Sequence, residues 1–337
     1  MGSHLCSLFA LRPSWTSLLS RLVVAGTAGL FLLTGCALVE SDDPPWDTDI
    51  PESEDVDGDA PVWGPEGEHI LFTHTLDSTG PNPGRRYQLW KAAPETGERE
   101  QVAPGRLTTP DWSPNGEWVV FHTRAQFSHL YKISIDGDSL VALTGPDSPN
   151  PNLDATTVGR WSPSGDRILY ARSAGEPRGL WMMNPDGTEA EILIPYGVQG
   201  DWFPSGERVA YVNWDQDEED VRRRRQIFVA NADGSDPRKI TDLPDSDVRF
   251  PRVSPDGSQI AFTYGASAEP PELYLMDADG SNIRQVTGGP GHARKPDWHP
   301  SGDQIVFSRD HPGEGEYLYL LDTEMLEVEP VFPANDK

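Results

Sequence analysis

The feature that most constrains this chain is a five-residue signature that returns six times. It reads Trp63-Gly-Pro-Glu-Gly67, Trp112-Ser-Pro-Asn-Gly116, Trp161-Ser-Pro-Ser-Gly165, Trp202-Phe-Pro-Ser-Gly206, Val253-Ser-Pro-Asp-Gly257 and Trp298-His-Pro-Ser-Gly302. Successive prolines stand 49, 49, 41, 51 and 45 residues apart. Proline supplies the fixed φ of a tight turn and glycine the residue that tolerates positive φ. An apolar, β-rich run follows each signature: Ile70–Phe72, Trp118–Phe121, Ile168–Tyr170, Val209–Tyr211, Ile260–Phe262 and Ile305–Phe307. Runs of this kind suit strands covered on both faces. A third strand recurs as Tyr87–Trp90, Leu130–Ile133, Leu180–Met183, Ile227–Val229, Leu273–Met276 and Tyr317–Leu321. Several of these end in Asp-Gly hairpin turns, after which a fourth strand follows, as in Arg284–Thr287. The segment before each tryptophan, such as Pro296–Trp298, supplies the first and innermost strand.

Short strands repeating every 40 to 50 residues mark propeller blades. The expectation is an all-β chain: a six-bladed β-propeller with four antiparallel strands per blade over residues 61–337. Blade one opens near Pro61 and blade six ends on its own outer strand near Val328–Phe332. The ring then closes by packing of blade one on blade six; a variant has Trp46–Ile50 add a strand to blade six. Each tryptophan is expected to be a large apolar wedge between neighbouring blades.

The N-terminus carries an address. Arg12 and Arg21 precede an apolar run, Leu22–Leu33, too short for the roughly 20 residues of a bilayer-spanning helix. It ends in Leu33-Thr-Gly-Cys36, which resembles the lipobox of bacterial lipoproteins. The resemblance implies a signal peptide over residues 1–36, with Cys36 lipidated and made the first mature residue. Ala37 in place of aspartate then favours the outer over the inner membrane. Cys6 leaves with the signal, so no cysteine remains for disulfide or thiolate-metal chemistry. Residues 37–60 are acidic and proline-bearing and read as a disordered tether. Asp55, Asp57 and Asp59 alternate as in the start of a calcium loop, but Ala60 stands where such a loop needs glycine.

The order Trp-Ser-Pro-Asp/Asn/Ser-Gly, then Ile-x-Phe, then Leu-Tyr-x-Met-Asp-Ala-Asp-Gly, then Gln-Val-Thr resembles the TolB-type propeller repeat over residues 61–332. TolB itself has a separate N-terminal α/β domain and binds the peptidoglycan-associated lipoprotein over its propeller. Here residues 37–60 leave no room for that domain between Cys36 and the first blade. What the resemblance implies is a propeller alone, on its own lipid, with a different partner.

Acids outnumber bases 54 to 27, for a net charge of -27. Such a surface repels nucleic acid and anionic lipid, so membrane contact is expected through the lipid alone. The residue before each signature follows a pattern: Val62, Asp111, Arg160, Asp201, Arg252, Asp297. The sign alternates around the ring, with Val62 breaking it. These five charges are either an inter-blade ion-pair ring or the lining of a tunnel mouth that receives a partner's charged terminus. A second candidate is the run Asp215–Arg225, whose Arg222, Arg223, Arg224 and Arg225 form either a self-paired hairpin or a docking loop.

No Gly-x-Ser-x-Gly elbow and no closely spaced histidine ligand pair is present in the sequence. No catalytic residue, metal or cofactor is assigned. The expected function is an exported, monomeric envelope lipoprotein whose propeller binds a protein or peptide at the tunnel end. The alternative is a propeller lyase or hydrolase acting on carbohydrate or cell-wall material.

Overall fold

The computed structural model describes residues 58–78, 84–105, 107–123, 128–214, 224–244, 247–265, 269–311 and 315–332. They form six four-stranded antiparallel sheets, each built from one continuous stretch of chain. Blade one holds β1 (Gly58–Trp63), β2 (Ile70–Ser78), β3 (Gly84–Ala93) and β4 (Glu98–Ala103). Blade two holds β5 (Leu107–Trp112), β6 (Trp118–Thr123), β7 (Leu130–Ser134) and β8 (Leu140–Ala142). Blade three holds β9 (Thr156–Trp161), β10 (Ile168–Arg172), β11 (Gly179–Met183) and β12 (Glu191–Pro195). Blade four holds β13 (Val198–Trp202), β14 (Arg208–Trp214), β15 (Arg225–Asn231) and β16 (Arg238–Lys239). Blade five holds β17 (Arg249–Val253), β18 (Gln259–Tyr264), β19 (Glu272–Asp277) and β20 (Arg284–Gln285). Blade six holds β21 (His292–Trp298), β22 (Gln304–His311), β23 (Gly315–Asp322) and β24 (Val328–Pro330). This is the six-bladed propeller expected from the repeat.

The signature turns fold as their chemistry requires. In blade two, the Gly116 N–H donates to the Ser113 carbonyl at 2.9 Å and Ser113 N–H reaches Trp118 O at 2.8 Å. The signature glycines all sit at φ between +72° and +83°, a conformation that a side chain would strain. Each hairpin therefore returns the chain with the same reach, and the second strands lie buried: Ile70–Phe72, Val119–Phe121 and Ile305–Phe307 are all essentially inaccessible.

The tryptophans are the wedges expected of them. Trp161 packs with Val120, Leu130 and Leu143 of the preceding blade, and Trp202 with Leu169, Leu180 and Ile194. Trp63 closes the ring, packing on Val306 and Leu318 of blade six. No strand is exchanged between the ends of the described chain; closure is by side chains. Trp63 meets His299 edge-on at 4.7 Å, and the same imidazole Nε2 lies 3.1 Å from Gly67 O. The notion of a strand from Trp46–Ile50 lies outside the described residues.

Blade five, which carries Val253 instead of tryptophan, has its own solution. The residue after each anchor faces the anchor of the next blade: a Cβ on Gly64 would lie 3.5 Å from the Trp112 ring, and His299 meets Trp63. Where the next anchor is tryptophan, this residue is small in blades one to three (Gly64, Ser113, Ser162). Blade four alone has Phe203 there, opposite Val253. Phe203 is 1% exposed in the cluster that holds Val253, Val248 and Ile260. The missing tryptophan volume is supplied from the neighbouring blade.

One boundary differs from the sequence reading. Residues up to Ala60 were assigned to the tether, but β1 starts at Gly58, and Asp59 and Ala60 are buried in it. Acidic composition masked the strand, because Asp59 is neutralised inside the fold rather than by solvent.

Candidate functional site

The six inner strands line the tunnel, and each carries the same irregularity. Between the two ends of every inner-strand pairing the register slips, as between Asp59 and Val62 or between Thr108 and Asp111. The residue at the slip lies three before the anchor and adopts a left-handed conformation. These residues are Ala60, Thr109, Val158, Gln199, Phe250 and Lys295, with φ between +47° and +54°. Six non-glycine residues in a disfavoured region cost of order 1 kcal/mol each or more, so the surrounding blades must impose them. They form a waist. The free volume there is about 20 Å³, room for about one water. The tunnel is thus two blind mouths, back to back.

The narrower mouth, on the signature side of the waist, contains the charged ring read from the sequence. Its free volume is about 230 Å³, between the anchor tryptophans and signature prolines. The pairs are inter-blade. Arg160 Nη1 donates to Asp111 Oδ1 at 2.8 Å, and Arg252 reaches Asp201 at 3.2 Å and Asp297 at 3.5 Å. Arg160 makes no ion pair with Asp201, and its Nε is buried without a partner. The second oxygen of each aspartate has a further use. Asp111 accepts the Trp161 N–H, Asp201 the Val253 N–H and Asp297 the Trp63 N–H, each at 2.8 Å. An aspartate in every second blade thereby fastens the anchor of the next. Three carboxylates face two guanidiniums, and burial outweighs the attraction: Asp201 and Asp297 are each pushed up to about 7, and Asp111 upward. The ring is committed to holding blades together.

The wider mouth opens on the opposite side, with a free volume of about 510 Å³. Its lining includes Asp59, Tyr87, Asp247, Arg249, Phe250, His292, Arg294, Lys295 and Glu316, from blades one, five and six. On its floor, the Lys295 ammonium pairs with Asp59, and the Ser308 hydroxyl lies 3.0 Å from Glu316 and 3.3 Å from Asp59. Burial, followed by the Asp59 charge, pushes Glu316 up to about 7. Burial also acts to raise Asp59, but Lys295 overrides it and leaves Asp59 below the ordinary carboxylate value. The two carboxyl groups thus differ: Lys295 favours the charged form of Asp59, and burial beside that charge favours the neutral form of Glu316. On the rim, Arg249 grips Asp247 through Nε and Nη2 at 2.8 and 2.6 Å, and Arg294 Nη2 reaches Asp310 at 3.2 Å. His292 also pairs with Asp310, at 2.7 Å.

The arginine run joins this rim. Arg222 and Arg223 lie outside the described residues. Arg224 is half-buried. Arg225 lies over the Trp214 ring at 4.8 Å and pairs with Asp247 at 3.2 Å. The start of β15, at Arg225, therefore stands at the rim of the wider mouth. Of the three aspartates read as a possible calcium start, Asp55 and Asp57 lie outside the described residues, and Asp59 is taken by Lys295. Among the described residues, no group of three or more His, Cys, Asp or Glu is placed to hold a metal ion. Sequence reasoning missed the wider mouth because its residues come from strand ends far apart in the chain; Phe250 and Lys295 share the position three before the anchor, and Asp59, Arg249 and Arg294 the position four before it, but neither position carries one residue type around the ring.

Fold and tunnel define the class: a closed six-bladed β-propeller with a pinched axial channel. Comparison with known proteins narrows it. The family model for the TolB beta propeller domain matches residues 197–332. An uncharacterized protein of Agrobacterium fabrum is 28% identical over 60% of this chain and 83% of its own length. A TolB homolog of Chlorobium luteolum is 28% identical over 51% of this chain, which corresponds to 37% of that protein. Among solved structures, a putative TolB from Agrobacterium tumefaciens superposes with a TM-score of 0.57 at 20% identity, over 79% of this chain and 90% of that one. An oligogalacturonate lyase in complex with manganese shares the fold at a TM-score of 0.51 and 14% identity, over 79% of this chain and 89% of its own. The chain carries a TolB-like β-propeller.

Proposed function

We propose that this is an exported, lipid-anchored envelope protein whose TolB-like propeller is a binding module, receiving a partner protein in the wider tunnel mouth. The observation that carries the reading is the contrast between the mouths. The charges of the narrower one are spent on neighbouring blades. The wider one is roomier, and rimmed by Arg249 and Arg294, which keep more than 40% of their side-chain surface exposed. Loops that carry recognition while strands carry packing are the usual division of labour in such folds. The lipobox at Cys36 and the signal-like segment before it support export and anchoring at the outer membrane.

The test is cross-linking in the native envelope from a photoreactive residue at Pro271, which lines the wider mouth, beside one at Ser164 on the signature side. Capture of one protein from position 271 and not from 164 is the expected result. Equal capture at both, or none at 271 with capture at 164, refutes the assignment of the mouth. A second reading, a propeller enzyme on carbohydrate or cell-wall material, is favoured by the carboxyl pair of Asp59 and Glu316 in the same cavity. Turnover of cell-wall or uronate oligosaccharides that is lost in Glu316→Gln would decide for it.

A further inference from the structure

We propose that the wider mouth takes the free C-terminal carboxylate of a partner polypeptide, gripped between Arg249 and Arg294. This rests on the binding-module reading and names the chemistry that the mouth recognises.

Three observations lead there. The first is shape. The cavity ends at the waist of left-handed residues, where about 20 Å³ is free. A chain entering along the axis cannot pass through, so a chain end fits the pit better than the middle of a segment. The second is charge. The whole chain carries -27, yet the cavity lining sets Arg249, Arg294 and Lys295 against Asp59, Asp247 and Glu316, and burial favours the uncharged form of Glu316. Asp310 stands behind Arg294 and His292. Cations and carboxyl groups are close to balanced here, so this mouth opposes an anion far less than the net charge of the chain would.

The third is unspent donors. Arg249 uses Nε and Nη2 on Asp247, leaving Nη1. Arg294 uses only Nη2, on Asp310, leaving Nε and Nη1. Two guanidinium forks on one cavity wall, partly exposed and pre-oriented by acids behind them, are the arrangement that binds a planar carboxylate by charge-assisted hydrogen bonds. Phe250, held in its strained conformation by the Gln199 amide oxygen on its N–H at 3.1 Å, offers an apolar surface to the last side chain.

Glu316 makes the grip proton-dependent. Its neighbours are Asp59 on β1, Lys295 on β21 and Ser308 on β22. Below a pH of about 7 it is uncharged and the lining keeps its cationic majority; above that its charge cancels one arginine. Binding should weaken as pH rises through that value. Glu316→Gln, which cannot ionise, should remove that dependence.

The experiment titrates the full-length protein with N-acetyl-triglycine bearing a free carboxylate, with the same peptide as its C-terminal amide, and with trigalacturonate. The expected result is that the acid binds about tenfold tighter than the amide, the difference one charge-assisted contact provides. Arg249→Gln/Arg294→Gln should erase that preference with the circular dichroism spectrum unchanged, since both side chains are exposed at the rim. Arg249→Lys/Arg294→Lys, which keeps charge without the fork, should keep part of it. Equal binding of acid and amide, binding of neither, or binding of trigalacturonate with the peptide ignored overturns the proposal. If photocapture from position 271 persists while the acid shows no advantage, the terminal-carboxylate idea falls and the binding module stands. If both fail, both fall.

Discussion

The exchange of bulk between Phe203 and Val253 gives a sharp test of how the blades are held together. Phe203 is 1% exposed, so Phe203→Ser removes a buried ring and costs about 4 kcal/mol, within the usual range for emptying an aromatic site. Part of that is the contact with the Arg208 guanidinium, 4.0 Å from the ring centre, at about 0.5–1 kcal/mol. Val253→Trp alone restores the anchor found in the other blades but drives an indole into space that Phe203 occupies, and should cost about 2 kcal/mol by overpacking. If the two were independent, the double variant would lose about 6 kcal/mol. With the swap, blade four carries serine as blades two and three do, and blade five carries their tryptophan. The double variant should therefore lose only about 2–3 kcal/mol, a coupling of about 3 kcal/mol at the upper end for residues in contact. Urea denaturation followed by far-ultraviolet circular dichroism measures all four proteins of the cycle. Additivity within about 0.5 kcal/mol would refute the reasoning that this interface conserves volume across the blade boundary.

Other outcomes follow from the same geometry. Asp297→Ala strips the Trp63 N–H of its acceptor at the point of ring closure and should destabilise the fold by about 1–3 kcal/mol, while Asp297→Asn, which keeps an acceptor, should cost less; thermal melts compare them. Arg309 and Glu272 form a buried pair at 2.7 Å between blades six and five, so Arg309→Met should cost about 3–5 kcal/mol and the paired change with Glu272→Met much less, as denaturant midpoints will show. Asp201 and Asp297 have folded values raised to about 7 from 3.8, so the folded state holds their protons more tightly. Their contribution to stability is greatest below pH 3.8, falls as pH rises towards about 7 and is flat beyond; Asp201→Asn/Asp297→Asn should flatten that slope in calorimetric scans, and an unchanged slope would count against it.

The fold was legible because Trp-x-Pro-x-Gly encodes a turn and a wedge together. Five copies and a sixth with valine in place of tryptophan, at blade-length intervals, leave few alternatives. The charged ring was legible as alternating sign at one repeat position, and three of the inter-blade pairs that alternation suggests are formed, Arg160 with Asp201 being the exception. Its second task was not: a sequence shows that Asp111 can meet Arg160, but not that its other oxygen catches the Trp161 N–H. The waist had no signal at all. Ala, Thr, Val, Gln, Phe and Lys share no property; the bulge is imposed by packing around the axis. Asp59 was hidden by an acidic neighbourhood, and Arg249, Arg294 and Glu316 become neighbours only when blades five and six meet blade one.

The two ends of the molecule vary in different ways, and this bears on which of them recognises a partner. At the signature end the hairpins that join the first strand to the second all have the same length. The anchor pairs with the residue seven further on in all six blades, from Trp63 with Ile70 to Trp298 with Ile305. At the opposite end the second and third strands are joined over unequal distances, measured between aromatic cross-strand partners. Phe121 and Tyr131 are 10 apart and Tyr170 and Trp181 are 11, but Tyr211 and Phe228 are 17 and Phe72 and Trp90 are 18. Ring closure demands uniform turns where the wedges meet, so that end has no freedom to diversify without opening the propeller. The longer connection of blade four bears the arginine run in the sequence, and its last residue, Arg225, pairs with Asp247 on the rim of the wider mouth. A repeat fold that must stay regular on one face can acquire a partner on the other, and here the irregular face is the one with room in it.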